Sequence, residues 1–97
     1  MPEMTFTVRW PDGTVADLYS PSLVMHDFLA AGSDYPLQEF VDKSAEALDL
    51  ASARVKAKFG FECTSAMQQK AEILASAAHF TPSSAVRVLS MLPPLEA

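Results

Sequence analysis

The chain is poor in cysteine, glycine and positive charge, and each shortage closes off a class of function. Cys63 is the only cysteine, so no internal disulfide can form, which fits a reducing compartment. With it stand just two histidines, His26 and His79, far apart and in no ligand spacing such as C-x-x-C or H-x-x-x-H. No metal is expected. The three glycines, Gly13, Gly32 and Gly60, are dispersed, and each has a local task as turn or helix stop. They build no phosphate-cradling loop, and there is no G-x-S-x-G elbow, so no cofactor is expected either. Seven Lys and Arg against twelve Asp and Glu leave a net charge of -5, which disfavours nucleic acid and anionic lipid as partners. Long apolar runs are missing as well. No stretch approaches the eighteen or so residues of a membrane span, and MPEMTFTVRW has no basic region followed by an apolar one. A soluble, cytoplasmic protein is expected.

What is present describes a globular chain. Hydrophobic residues make up 49% and charged ones 20% of 97 residues, read as a single domain over 1–97 with a flexible tail over 93–97. A chain this size buries about two-thirds of its unfolded surface. MTFTVRW alternates, with Met4, Phe6, Val8 and Trp10 on one face and Thr5, Thr7 and Arg9 on the other. The adjoining PDG suits a three-residue hairpin turn with positive φ at Gly13, pairing Trp10 with Thr14, Val8 with Ala16 and Phe6 with Leu18. Trp10 then closes the core, in preference to stacking with Tyr19 on a ligand.

Helices come next. Ser20 and Pro21 suit the start of a short helix carrying Leu23, Val24, Phe28 and Leu29 to a stop near Gly32, with an extended or irregular segment as the alternative. PLQEFVDKSAEALDLASARVKAKFG has a stripe of Leu37, Phe40, Val41, Leu48, Val55 and Phe59, with Ala45 and Ser52 between. Glu39 is spaced to pair with Lys43, and Gly60 supplies the left-handed stop. A third helix begins near Thr64 or Ser65, where Ser65 and Gln68 match a capping box, and Met67, Ala71, Leu74 and Ala78 are its expected inward stripe. TPSS breaks the chain, and AVRVLSML, 85–92, reads as a strand. The order β-β-α-α-α-β predicts an α+β fold: an N-terminal hairpin, two to three helices and a C-terminal strand. Its sheet has three strands, the last beside the first, with helices on one face.

Two features point towards function. Cys63 stands where a helix begins, and free N–H groups there lower a thiol pKa. His26 or His79 is the available base for a Cys63 nucleophile, with Asp27 to orient one of them. The plainer reading is a small residue wedged between Phe59 and Phe61, with Glu62 opposing activation. The other feature is the last strand, where Val86, Val88 and Leu92 occupy one face and Ala85, Leu89 and Met91 the other. Both faces are apolar. This strand is either central or shielded by the tail, or else Val86, Val88, Leu89 and Met91 contribute to a protein interface.

At RWPDG, YSPS, YPLQEF and KFGFECTSAM the chain resembles a small bacterial family of nitrogen starvation response proteins, with matching spacing from about residue 3 to residue 80. The resemblance implies a gene cluster with a nitrilase, a radical SAM protein, an acetyltransferase and a flavoprotein, associated with nitrogen limitation and with nitrile or cyanide assimilation. It carries no catalytic residue over. A non-catalytic accessory protein is therefore expected, partnered by a cluster enzyme or by itself as a homodimer. The alternative is a small Cys63-dependent enzyme or ligand carrier in the same pathway.

Overall fold

The computed structural model describes residues 3–61 and 64–94. Strands β1 (Met4–Arg9) and β2 (Val15–Ser20) form the expected hairpin, with Val8 opposite Ala16 and Phe6 opposite Leu18. The Trp10 amide donates to the Thr14 carbonyl at 2.8 Å, and the Gly13 amide donates to the Trp10 carbonyl at 2.9 Å. Gly13 turns with φ at 88°, a conformation that costs other residues steric strain. The Asp12 carboxylate accepts the Thr14 amide at 2.9 Å and fixes the loop from within.

Beyond β2 the chain departs from expectation. Ser22, not Ser20, caps the next turn, accepting the Val24 amide at 3.3 Å. That element is a five-residue 3₁₀ helix, Leu23–Asp27, which ends short of Gly32. Gly32 instead donates to the Val88 carbonyl at 2.7 Å and leads into a short strand, β3 (Asp34–Pro36). The sheet therefore has four strands, ordered β2-β1-β4-β3, not three. Three residues ending in proline are too few for alternation to show, and their pairing with β4 defines them as a strand.

Helix α1 (Leu37–Phe59) has no side-chain cap at Pro36. Its first two amides find distant carbonyls: Leu37 donates to Ser84 at 2.7 Å and Gln38 to Pro82 at 3.1 Å. Gly60 ends the helix with φ at 83°, and Lys43 pairs with Glu39 at 3.5 Å, both as expected. Helix α2 (Thr64–Ala77) is already helical at Thr64, so Ser65 lies inside its first turn. The Gln68 side chain donates to Glu72 at 3.3 Å, not back towards a capping box. Strand β4 (Ala85–Leu92) lies antiparallel between β1 and β3.

Helices cover one face of the sheet. Met4, Phe6, Val8 and Leu18 from the hairpin join Val86, Val88 and Met91 of β4 beneath Leu37, Phe40, Ala47, Leu48 and Ala51 of α1. Ser44 enters this core because its hydroxyl donates to the Phe40 carbonyl at 2.7 Å, leaving no polar atom unpaired. Val41, Ala45 and Val55 flank the contact half-buried, while Phe59 is exposed, so the buried stripe ends sooner than its spacing suggested. Trp10 closes the end of the core, edge-on to Phe40 at 5.6 Å and stacked on Phe80 at 6.1 Å.

A bulge in β4 corrects the expected division of its faces. Thr7 pairs with Ser90 and Val8 with Val88, which leaves Leu89 as an extra residue. Alternation resets there. Met91 turns inward with Val86 and Val88, while Leu92 turns out to solvent.

Candidate functional site

Among the described residues, those with reactive side chains are dispersed. Cys63 and Glu62 lie outside the described residues. His26, at the end of the 3₁₀ helix, has Nε2 2.9 Å from the Pro93 carbonyl. A carbonyl only accepts, so Nε2 donates here, and in the neutral ring Nδ1 is the acceptor. Pro93 is thus held, while Leu95, Glu96 and Ala97 of the expected tail are outside the described residues. His26 borders a hollow of about 550 Å³ with Asp27 and Arg54, whose Nη1 donates to Ser22 Oγ at 3.3 Å.

His79 lies two residues beyond α2, exposed, beside a different hollow of about 310 Å³ lined by Trp10, Asp12, Thr14 and Phe80. Asp12 lies at its rim, and its carboxyl is held below the usual carboxylate range by the Thr14 amide and then the Thr14 hydroxyl. The structure does not bring the two imidazoles into one hollow. Among the described residues, no three His, Cys, Asp or Glu side chains are grouped to hold a metal.

Of the four residues named for an interface, Val86, Val88 and Met91 belong to the core, and Leu89 at the bulge is half-buried. The bulge turns Met91 away from the open face, so β4 does not present an apolar surface on both sides. The open face of the sheet is mixed, with Thr5, Arg9, Val15, Asp17, Arg87 and Leu92 exposed.

Open apolar surface lies instead on α2. Ala66, Gln69 and Ile73 are its buried positions, with Ala77 half-buried, whereas Met67, Ala71, Leu74 and Ala78 face solvent. Met67 is 41% and Leu74 46% exposed. The stripe expected to point inward is the outer one. Both sets repeat at helical spacing, so periodicity alone allows either phase. Core burial of Ala66 and Ile73 marks the phase, and polar partners agree with it. The Gln69 side-chain oxygen accepts the Tyr19 amide at 3.0 Å on β2, and Lys70 reaches Asp49 on α1 at 2.9 Å. These two contacts accompany the burial of Ala66 and Ile73, and sequence alone did not reveal them. At the end of α1, Phe59 and Phe61 are also exposed, their rings 6.3 Å apart.

A family model described as nitrogen starvation-induced protein NitG matches residues 5–91. The chain belongs to this family. The match runs from Thr5 in β1 to Met91 in β4, so both helices and all of the sheet but its two end residues, Met4 and Leu92, lie within it. Searches of curated proteins and of solved structures each found no match. Family membership makes this a nitrogen starvation-related protein. Among the described residues no helix is long and apolar enough to cross a membrane.

Proposed function

We propose that this chain is a non-catalytic accessory protein of the nitrogen-starvation response, acting in the bacterial cytoplasm by binding another protein. The partner is an enzyme of the gene cluster that the family resemblance implies, or a second copy. One observation carries this reading: α2 has a second apolar face, with Met67, Ala71, Leu74 and Ala78 open to water. Keeping large apolar side chains contiguous and exposed forgoes roughly 25 cal/mol for each Å² left in water, and such patches mark interaction sites. A face left open for solubility alone has no need of Met67 and Leu74 in line.

Affinity capture from nitrogen-starved cells tests the reading, with the wild-type chain beside Leu74→Glu and Cys63→Ser. Wild type and Cys63→Ser are expected to retain the same cluster protein or tagged second copy, and Leu74→Glu is expected to lose it. Undiminished capture by Leu74→Glu removes the support from α2. A Cys63→Ser protein that folds normally yet fails to restore growth under nitrogen limitation favours the thiol-dependent alternative.

A further inference from the structure

We propose that the outer face of α2 is covered by the same face of a second copy, packed antiparallel about a two-fold axis between residues 72 and 73. The proposal rests on the reading that this chain works by binding protein, and it names the partner.

The spacing supports it first. Met67, Ala71, Leu74 and Ala78 succeed one another at four, three and four residues, the a/d seam of helices that pack side by side. Ala78 still belongs to the helical path, since its amide donates to the Leu74 carbonyl at 3.1 Å. The seam is therefore roughly 16 Å long at 1.5 Å per residue.

Size complementarity selects the orientation. An antiparallel pairing sets Met67 opposite Ala78 of the second copy and Ala71 opposite its Leu74. Each large side chain then meets a small one in every layer. A parallel pairing stacks Met67 on Met67 and leaves Ala71 facing Ala71, crowding one layer and emptying the next.

Charge selects the surface. The chain carries -5 overall, yet Lys70 and Glu72 are the only formal charges between residues 64 and 80, and they cancel. Asp49 and Lys56 of α1, which share a hollow with Met67, cancel as well, so two copies meeting here bring together a neutral patch while the acidic excess stays elsewhere. Sheet edges offer less. β2 carries Asp17 at its middle, so a symmetric pairing of two β2 edges centred there places like charges opposite, and Gln69 covers the Tyr19 amide. The opposite edge, β3, has three residues and ends in Pro36, which has no amide to donate.

One short seam falls below the roughly 1,000 Å² of a tight interface, so the dimer is a concentration-dependent one. Sedimentation equilibrium of the full chain is expected to show a mass rising from 10.5 kDa towards twice that value with concentration. Leu74→Glu and Ala71→Glu are expected to stay at the monomer mass with unchanged far-ultraviolet circular dichroism. In a Cys63→Ser background, mixing Ala71→Cys with Leu74→Cys should give a mixed disulfide, while either variant alone gives several-fold less.

A chain that is monomeric at every concentration overturns the proposal, as does a Leu74→Glu protein that dimerises like wild type or single variants that cross-link as fast as the mixture. If the chain stays monomeric yet Leu74→Glu loses a cluster enzyme on capture, self-pairing is refuted and the accessory reading stands. If neither mass nor capture depends on Leu74, self-pairing through α2 is refuted, and the accessory reading falls with it only where the wild-type chain also captures nothing.

Discussion

Ile73 and Leu74 are adjacent, similar in volume, and about 100° apart around α2, one buried and one open, so truncating each to alanine measures the roll of the helix directly. Ile73 is 1% exposed and packed in the core, whereas Leu74 is 46% exposed. Ile73→Ala removes buried methyl groups and leaves a cavity, which costs about 2–5 kcal/mol. Leu74→Ala removes surface contacts only and is expected within about 0.5 kcal/mol of wild type. Unfolding entropy near 2.1 cal/mol/K per residue converts about 1 kcal/mol into a Tm shift of roughly 5 °C at this chain length. Ile73→Ala should therefore lower Tm by about 10–25 °C, and Leu74→Ala by no more than about 3 °C. Because total stability is of the order of 5–15 kcal/mol, Ile73→Val, costing about 0.5–1.5 kcal/mol, provides a variant that stays folded. Thermal and urea unfolding monitored by circular dichroism at low micromolar concentration keeps association out of the comparison. Equal losses at the two positions, or a larger one at Leu74, would refute the placement of α2 and every conclusion drawn from its outer face.

Other substitutions probe separate parts of the fold. Met91→Asp, at a position 3% exposed, should destabilise by about 3 kcal/mol or more, whereas Leu92→Asp, at 59%, should be close to neutral in urea unfolding. The opposite ranking would mean that the bulge at Leu89 is absent. Gly60→Ala places a side chain at φ 83° in open space, so backbone strain alone sets its cost at about 1–2 kcal/mol, and Gly60→Asn should recover part of that in a melting experiment. Gln69→Ala removes the acceptor offered to the Tyr19 amide and should cost about 1 kcal/mol or more, with faster hydrogen exchange at Tyr19 as the direct readout. Asp12 should titrate below an ordinary aspartate when the Thr14 amide shift is tracked by NMR. A carboxyl lowered on folding stabilises the chain above its unfolded pKa and loses that contribution as pH falls through the folded one, so Asp12→Asn should flatten this part of the acid limb.

Legibility in the sequence depended on how local each determinant is. The hairpin was readable because alternation and the PDG turn sit within a few residues of each other and agree. The end of α1 and the start of β4 were readable for the same reason, with Gly60 and the TPSS break as local signals. Contacts made at long range were not. β3 is a strand because β4 lies beside it, and nothing within Asp34–Pro36 says so. The 3₁₀ helix is short because Gly32 bonds to Val88, fifty-six positions away. Likewise the bulge at Leu89 depends on how β1 aligns, and the roll of α2 depends on packing against the core, with Tyr19 and Asp49 as polar partners. The site candidates suffered most from this limit. Periodicity correctly found an apolar stripe on α2, but the packing of Ala66 and Ile73 against the core shows that it faces away from it.

The position of β4 has a consequence for how the molecule is made. This strand is synthesised after its sheet neighbours and both helices, yet it sits between β1 and β3, and the loop before it supplies the carbonyls that hold the start of α1. Until residue 92 clears the ribosome, β1 has an open edge and the helices lack part of their floor. Nascent chains therefore wait in an incomplete state with apolar surface uncovered, the condition in which chaperone capture competes with folding. Stalling or cleavage anywhere before β4 should yield an insoluble product, not a smaller folded one.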